Sequence, residues 1–372
     1  MKKIIMIGSL PPPYHGTNIY FQNLLRSRIT EEFDVYHLDT SDHRDLNNLS
    51  KLDLINVYLA IKNLFELFIV LFRFKPALVY LAPSPSILPY IRDGLFILIT
   101  HFFSHAKIVI HMHAGMDFRE KFFEKSNFLT RAFVRNTLKK VHTAIVLGDN
   151  LKRILIGLVD KVIVIPNGTD FNLRLQETII KFNKVVTISF LGSLVKRKGV
   201  LDILEAAKYV LKKHRNVIFK LGGSWRLQEI ETKKEAYRII KRNDYAEHID
   251  FIGMVFGDEK INFFLDTDIF VFPSHNDSFG IVNIEAMSAE CAVISSRNVG
   301  AINEIVEDGV TGLLVERKNP KKLADAILNL LDNVDVRISM GKAGRKRYEK
   351  LFTMKRNTDK FIELFTNILQ ET

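Results

Sequence analysis

The chain has 372 residues, 47% hydrophobic and 26% charged, which suits two folded domains of ordinary size and excludes a disordered chain. Its single cysteine, Cys291, excludes an internal disulfide framework and a cysteine metal cluster, and this fits a reducing compartment. The net charge of +11 favours phosphorylated substrates, anionic lipid or nucleic acid as partners. Because the sequence has neither zinc-finger spacing nor an RNP-type aromatic run, we expect no nucleic acid.

The N-terminal run and the loop after it come first in chain order. The apolar run IIMIG is too short for a secretory signal and lacks a small-residue cleavage site, so it predicts a buried first strand. In the next loop, residues 8–18, Gly8 and Gly16 let the backbone approach a ligand, and the following helix offers free amides to an anion. A plain proline–glycine turn explains this loop equally well.

The most apolar stretch of the chain covers residues 54–74. Lys62, Glu66 and Arg73 interrupt it, and each charge at the bilayer centre costs about 2.5–3.5 kcal/mol. A spanning helix needs roughly 20 mostly uncharged residues. The stretch therefore predicts a helix that is buried or lies on a membrane surface, rather than one that spans the bilayer.

Short β-rich apolar runs alternate with longer helical patterns along the whole chain. Such runs are typical of parallel strands covered on both faces, and their alternation with helices predicts βαβ units. We expect an α/β fold of two doubly wound, Rossmann-like domains, with ligands beyond the carboxyl ends of the strands in the cleft between the domains. The predicted strands are KIIMIG, ALVYLA, KIVIHMH, TAIVLG and KVIVIPNG in the first half and VVTISFLG, VIFKLGG, HIDFIG, DIFVFPS and AVISS in the second.

The domain boundary is predicted after the turn at residues 166–168, where a polar stretch precedes a restart of the strand–helix pattern. The expected organisation is a first domain over residues 1–170, a linker over 171–184 and a second domain over 185–353. The last helix, within 354–372, is expected to pack back on the first domain.

The strand KIVI leads into HMHAGMDF, which contains two histidines. His111 and His113 are expected to face opposite sides if the strand continues through them. A metal site would need further ligands that are not evident nearby, so we expect no metal. For His113 a core position is the commoner alternative to a functional role.

Residues 119–140 hold seven Lys and Arg against two Asp and Glu, a surplus of five positive charges. A basic amphipathic helix of this kind suggests an anionic membrane surface, and a solvated helix that covers the sheet has equal weight. The apolar residues that fall roughly on one side of this helix are Phe118, Phe122, Leu129 and Phe133.

In the second half, a basic loop and a glycine turn each follow a predicted strand. Lys196, Arg197 and Lys198 lie in a glycine-bounded loop where their charges suit a diphosphate, although a solvated basic run is the usual alternative. A further predicted strand ends at Gly253, so the backbone groups of Gly253 and Met254 are free to pair with the edge of a nucleotide base. A plain loop without a ligand is the alternative.

The segment DSFGIVNIEAM joins a predicted strand to a predicted helix. Amides of Gly280, Ile281 and Val282 at the helix start would suit a phosphate or a sugar oxygen. Asp277 can accept bonds from sugar hydroxyls, and Glu285 can bind two ribose hydroxyls if it faces the ligand. The alternative is that Asp277 caps the helix and Glu285 is solvated.

The second half resembles the retaining glycosyltransferases of family 4, also called group 1, which have the GT-B fold. The resemblance covers nearly all of residues 162–350. Its motifs stand in the family's order and are PNGTD, FLGSLVKRKGVLDILEAA, IDFIGMV, DIFVFPSHNDSFGIVNIEAMSAECAVISS and VGAINEIVEDGVTGLLVE, followed by a closing helix. The first half resembles the family only through PPPYHG and HMHAG.

The family's signature is two glutamates separated by seven residues, and the matching positions are Asp277 and Glu285. The resemblance implies that Glu285 holds the donor ribose and that Asp277 contacts the donor sugar. It also implies a role for Lys198, which matches a family lysine before a glycine. Ser193 stands where the family usually has an arginine, and Arg197 is the candidate replacement from a shifted position.

In the first half, His113 matches the family's histidine near the donor sugar, and Gly16 matches the glycine loop that faces the diphosphate. The expected catalytic residues are His113, Arg197, Lys198 and Asp277. The expected donor-binding residues are Gly16, Ser193, Arg197, Lys198, Gly253, Met254, Phe279, Gly280, Ile281, Val282 and Glu285. The pair Asp266 and Asp268 resembles a metal-binding D-x-D motif, but it lies at the amino end of a strand, and we assign it capping or turn duty.

The resemblance implies that a sugar moves from a UDP- or GDP-linked donor to an acceptor hydroxyl, with retention of configuration and without a metal or other cofactor. The first domain would bind the acceptor, a glycan or a lipid-linked molecule of bacterial polysaccharide assembly. A cytoplasmic protein with peripheral attachment to the inner face of a membrane is expected. The alternatives are a non-catalytic nucleotide-sugar-binding subunit and an NAD-dependent oxidoreductase, which the missing G-x-G-x-x-G fingerprint disfavours.

Overall fold

A computed structural model describes residues 1–12, 16–44, 53–171 and 185–371. The chain divides into two compact units. Unit 1 comprises Met1–Asp170 together with Met354–Thr372, and unit 2 comprises Phe171–Thr353. The predicted linker lies outside the described residues apart from Phe171.

The described residues form short parallel strands and helices in regular alternation. The strands are β1 Lys3–Gly8, β2 Asp34–Asp39, β3 Leu78–Leu81, β4 Lys107–Met112, β5 Thr143–Val146, β6 Val162–Val164, β7 Val186–Leu191, β8 Val217–Gly222, β9 Ile249–Gly253, β10 Ile269–Phe272, β11 Ala292–Ser296 and β12 Gly312–Val315. The α-helices are α1 Gly16–Leu25, α2 Ile29–Glu32, α3 Leu54–Phe74, α4 Ile87–Phe103, α5 Phe128–Leu138, α6 Val200–Val210, α7 Ile230–Asn243, α8 Gly257–Leu265, α9 Ile281–Ser288, α10 Ile302–Ile305, α11 Pro320–Asp332, α12 Val334–Leu351 and α13 Met354–Gln370.

Each unit contains one parallel sheet. Within the described residues, the strand order is β2-β1-β3-β4-β5-β6 in unit 1 and β12-β11-β10-β7-β8-β9 in unit 2. Neighbouring strands pair in parallel throughout both sheets. Because both orders reverse direction at an inner strand, helices cover both faces, and the predicted doubly wound α/β fold is confirmed.

The two faces of the sheet in unit 1 are covered by different helices. On one face, α1, α2 and α13 pack over a core that includes Tyr20, Tyr80, Phe361 and Phe365. The helices α3, α4 and α5 cross between strands in the opposite sense, so they cover the other face, where they pack side by side. The last helix of the chain thus belongs to the core of unit 1.

Helix α3 has the bounds predicted for the apolar stretch, but it is not a buried helix. The side chain of its N-cap, Asp53, accepts a hydrogen bond from the Asn56 amide at 2.7 Å, and the helix ends at Lys75 in a left-handed conformation. Only 22% of its most apolar window is buried, and Phe65 is 65% exposed. By length and composition alone, α3 is the one helix among the described residues that could cross a membrane.

The predicted basic helix over residues 119–140 is wrong, because the structure breaks the segment into two pieces. A π-helical turn spans Phe118–Phe123, and α5 begins anew after Asn127, whose side chain accepts a hydrogen bond from the Thr130 amide at 2.8 Å. This cap competes with helix continuation, since asparagine side chains bind nearby backbone amides. As a result, Phe118 is buried while Leu129, from the same predicted stripe, is 76% exposed.

Candidate functional site

Two loops of unit 2 meet beyond the carboxyl ends of neighbouring strands. The loop after β7 carries the basic residues, and the loop after β10 leads into α9. The His275 amide donates a hydrogen bond to the Arg197 carbonyl at 2.9 Å, and the Lys198 ammonium forms an ion pair with Asp277. The structure therefore brings Arg197, Lys198 and Asp277 together, as their positions after adjacent parallel strands predict.

A glycine allows these loops to approach so closely. Gly199 has a φ of +81°, and a side chain there would collide with the Pro273 carbonyl oxygen. The close approach explains why a glycine follows Lys198 in the sequence. Only glycine adopts this conformation without strain and leaves room for the neighbouring loop.

The carboxylate of Asp277 is already engaged within its own loop. One oxygen accepts hydrogen bonds from the amides of Phe279 at 3.3 Å and Gly280 at 3.1 Å, and the other faces Lys198. The expectation of an open Gly280 amide is therefore corrected, because Asp277 occupies it. The amides of Ile281 and Val282 lie in the first turn of α9, where no intrahelical acceptor exists.

Glu285 lies on α9 and is only 5% exposed. One of its carboxylate oxygens lies 2.6 Å from the ammonium of Lys260, which belongs to α8. Among the described residues its other oxygen, Oε2, is buried without a hydrogen-bond partner. A buried carboxylate oxygen without a partner is costly, and a ligand hydroxyl would satisfy it. Sequence reasoning missed Lys260, because no spacing rule relates a lysine to a glutamate 25 positions later.

The remaining donor-site candidates of unit 2 differ in exposure. Phe279 is 2% exposed, and its ring centroid lies 6.3 Å from that of Phe352, so its side chain belongs to the core rather than to a binding surface. Ser193 is half-buried, whereas Arg197 is exposed. Gly253 has a left-handed φ of +74° at the end of β9, with the exposed side chain of Met254 after it.

In unit 1, His113 and Gly16 lie near the carboxyl ends of the strands. Gly16 is the first residue of α1 and is exposed. His113 lines a cavity of about 600 Å³, together with Gly8 at the end of β1 and the buried Asn18. Residues 13–15 of the predicted glycine loop lie outside the described residues.

The expectation that the two histidines face opposite sides is wrong, because residues two positions apart on a strand share a face. The rings of His111, the last but one residue of β4, and of His113 lie 4.0 Å apart. His111 is fully buried, and its Nδ1 lies 2.9 Å from the Tyr80 hydroxyl. Burial, together with the neighbouring His113, holds the pKa of His111 well below its usual range, so this ring is neutral.

The acidic pair before β10 has a structural contact. Asp268 accepts a hydrogen bond from the Thr187 amide at 2.8 Å, at the amino end of the strand. Across the described ranges no three His, Cys, Asp or Glu side chains are grouped so that they could hold a metal ion.

The two doubly wound sheets, with the pair of Lys198 and Asp277 beyond the strands of unit 2 and the buried Glu285 on the following helix, define a doubly wound α/β protein of the GT-B type. Residues 175–347 match the family model of "Glycosyl transferases group 1". The second unit therefore belongs to the glycosyl transferases group 1 family, and the resemblance noted in the sequence is confirmed.

Curated relatives are glycosyltransferases by name. The chain is 29% identical over 213 residues to the capsular polysaccharide biosynthesis glycosyltransferase CapM of Staphylococcus aureus. The matched region covers 55% of this chain and 54% of CapM. The chain thus spans about half the length of the curated relatives it matches.

Two solved structures share the fold over the full length of the chain. Sucrose-phosphate synthase from Thermosynechococcus elongatus has a TM-score of 0.76 at 16% identity, with 100% of each chain covered. Anabaena HepE in complex with UDP has a TM-score of 0.74 at 16% identity, with 99% of this chain and 100% of that chain covered.

Proposed function

We propose that this chain is a retaining glycosyltransferase that moves a sugar from a nucleotide-diphosphate donor to an acceptor hydroxyl. The observation that carries the proposal is Glu285, a buried carboxylate whose Oε2 has no partner among the described residues. A ribose diol presents hydroxyl donors that match this acceptor. The carboxylate lies in a domain of the group 1 family, which supports a nucleotide sugar as the ligand.

The cations of the same unit would hold the diphosphate. Lys198 would exchange Asp277 for a phosphate oxygen, and the exposed guanidinium of Arg197 would bind a second one. The first-turn amides of Ile281 and Val282 add a positive helix end to these charges. Together they would stabilise the charge that grows on the diphosphate as the glycosidic bond breaks, so the proposal includes no metal.

The chain's own groups also set limits on the reaction path. Asp277 is held by two amides and Lys198, so in this arrangement it organises the loop rather than attacking the sugar. We therefore favour a path in which the leaving diphosphate takes the acceptor's proton on the face where it departs. His113, which lines the cavity of unit 1, stays a candidate for contact with a sugar.

UDP is the first donor nucleotide to test, since the structurally similar HepE has been solved with UDP and with UDP-glucose. A role in polysaccharide assembly is supported by the match to CapM, whose name states capsular polysaccharide biosynthesis. GDP-linked sugars are the second option.

We place the acceptor on unit 1 and propose that it is linked to a lipid. Helix α3 exposes a wide apolar face, and two bulky apolar residues, Phe128 and Leu129, project from the start of α5 beside the basic Arg131. Apolar side chains flanked by lysine and arginine favour the surface of an anionic membrane. The protein would then work in the cytoplasm, attached to the inner face of the membrane.

A second candidate is a non-catalytic nucleotide-sugar-binding subunit. Two observations favour it, namely the pairing of Lys198 with Asp277 and the presence of Ser193 where the family usually has an arginine. Slow release of nucleoside diphosphate from the donor in the absence of an acceptor distinguishes the two, because a binding subunit would leave the donor intact.

Thermal-shift screening with UDP-, GDP- and ADP-sugars tests the proposal. At 100-fold excess over Kd, a true donor should add about 2.7 kcal/mol to the free energy of unfolding. Glu285→Gln should lose most of this gain, and Glu235→Gln, on the exposed face of α7, should keep it. Full donor stabilisation of Glu285→Gln would contradict the assignment of Glu285 to the ribose.

A further inference from the structure

The cavity of unit 1 has two kinds of wall, contributed by different elements. The strand ends and the start of α1 supply polar side chains, including Thr17, Asn18, Ser41 and His113. The facing helices α3 and α4 supply apolar ones. These apolar residues are Val57, Leu59, Ala60, Ile61, Leu64, Leu88, Ile91, Leu95 and Phe96. A volume of about 600 Å³ falls within the range of roughly 300–1,000 Å³ that small-molecule sites occupy.

The apolar wall continues onto the surface of the unit. Val57, Ile61, Leu88 and Ile91 line the cavity, yet they are between 41% and 61% exposed. Ile61 lies one turn before the exposed Phe65 of α3, so apolar side chains outside the cavity stand next to those that line it. Grouped exposed apolar side chains of this kind are typical of an interaction site.

The polar edge of the cavity is held in place by an arginine. Arg44 forms ion pairs with Asp42 at 2.8 Å and Asp53 at 3.1 Å, and it donates to the Asn56 side chain at 3.1 Å. This network ties the loop after β2 to the start of α3. Because Asp42 and Asn56 line the cavity, its opening is preformed rather than created by a ligand.

The charges around this surface match a bilayer with anionic headgroups. From residue 54 to residue 140, which covers α3, α4 and α5, the sequence has twelve Lys and Arg against five Asp and Glu. An apolar entrance in a part of the chain with this surplus of positive charge lets a hydrocarbon chain pass from the lipid into the cavity while basic residues stay at the headgroups.

We infer that this cavity binds the hydrocarbon chain of a membrane-lipid acceptor, whose hydroxylated head reaches the polar side chains at the strand ends. The inference rests on the proposed function, which it deepens by assigning the acceptor's apolar part to the space between α3 and α4. The chain leaves the bilayer between the exposed residues of α3 and α4 and lies along Ala60 and Leu64. The head then stands near His113, in the same unit.

Photolabelling of the full chain tests the inference. The probe is an octyl glucoside with a diazirine at the chain end, used below its micelle-forming concentration. We expect crosslinks within residues 57–64 and 81–96, because these segments line the cavity. Each additional buried methylene should strengthen binding about fourfold across a series of alkyl glucosides, and methyl glucoside should not compete. Geranyl glucoside and octyl glucoside are then compared as competitors of the probe. Stronger competition by geranyl glucoside indicates a prenyl chain in the natural ligand, and stronger competition by octyl glucoside indicates an acyl chain.

Variants separate the cavity from adsorption on the outer helix face. Ala60→Phe and Ala82→Leu each fill the cavity and should lower labelling about tenfold or more. Phe65→Ser removes an exposed apolar residue outside the cavity and should leave labelling unchanged. The two filling substitutions lie on different elements, and the melting temperature of each variant is measured. A loss of labelling that is caused by misfolding can therefore be recognised.

The outcomes are distinguishable from those of the donor test. Crosslinks confined to outer residues such as Phe72 and Phe102, or full labelling of both folded filling variants, would overturn the cavity assignment. If either result occurs while the donor still raises the melting temperature of the same samples, only the cavity inference fails and the proposed function stands. Labelling of the cavity without any donor shift would instead overturn the proposed transferase function on which the acceptor assignment rests.

Discussion

Lys260 and Glu285, on different helices of unit 2, form an ion pair at 2.6 Å in which the carboxylate is buried and the ammonium is partly exposed. The lysine binds only one carboxylate oxygen, and the other is left without a partner among the described residues. The pair therefore both stabilises a buried charge and keeps one acceptor in place for a ligand. Lys260 is a positioning residue for Glu285.

Replacing Lys260 with methionine should destabilise unit 2 by about 1–3 kcal/mol, because it leaves the Glu285 carboxylate buried and unpaired. Chemical denaturation measures this loss. Lys234→Met, which breaks the exposed pair with Glu231, is the control and should cost less than about 0.5 kcal/mol. Adding Glu285→Gln to Lys260→Met should restore stability, and failure to do so would show that the two side chains are not energetically coupled.

Gly199 gives a second prediction, since its backbone and its surroundings both require glycine. Gly199→Ala should lose at least about 1–2 kcal/mol from the left-handed conformation, and more from the collision with the Pro273 carbonyl. Gly309 has a similar φ of +78° but open space around it, so Gly309→Ala reports the conformational cost alone. Equal melting temperatures of the two variants would contradict the close approach of the loops.

The Asp277 carboxylate leads to a third prediction, which concerns donor binding. Asp277→Asn keeps an oxygen for the Phe279 and Gly280 amides but releases Lys198 from its ion pair. Calorimetric titration with UDP should therefore show affinity equal to or up to about tenfold tighter than that of the unaltered protein. Asp277→Ala loses the loop contacts as well and should bind more weakly than Asp277→Asn. Weaker binding by Asp277→Asn than by the unaltered protein would contradict this prediction and would show that the charge itself contacts the ligand.

The inner strands could be predicted because they are continuous apolar runs, whereas the two strands missed lie at sheet edges. β2 pairs only with β1 and β12 only with β11 in the described residues. The sequence of β2, DVYHLD, begins and ends with aspartate and contains a histidine, and β12 is a four-residue run after a glycine turn. An edge strand is less covered than an inner one, so it can carry polar residues or be short, as β2 and β12 do. The edge strands β6 and β9 could still be predicted, because each keeps an apolar run.

The candidate site was predictable to a similar extent. The loops after β7 and β10 could be predicted because parallel strands place their carboxyl ends at one edge. The pairing of Lys260 with Glu285 could not, because contacts between helices depend on packing that no local pattern encodes. The break at Asn127 was likewise missed, since the charge pattern on both sides of it is that of one helix while the capping side chain decides where α5 begins.

The buried His111 gives a prediction about pH, because folding lowers its pKa. An unfolded histidine takes up a proton below about pH 6.5, whereas the buried ring, packed against Tyr20, Tyr80 and His113, resists protonation. Its contribution to stability is therefore complete above the unfolded pKa and is lost as the pH falls below it, by up to about 1.4 kcal/mol per pH unit.

Melting temperatures measured between pH 5 and pH 8 check this prediction. His111→Gln cannot titrate, so its melting temperature should fall less steeply from about pH 6.5 downward than that of the unaltered protein. His101→Gln, at an exposed position of α4, should follow the unaltered profile. If the His111→Gln profile runs parallel to the unaltered one, the buried imidazole contributes nothing to the acid sensitivity, and its neutral state in the fold would be disproved.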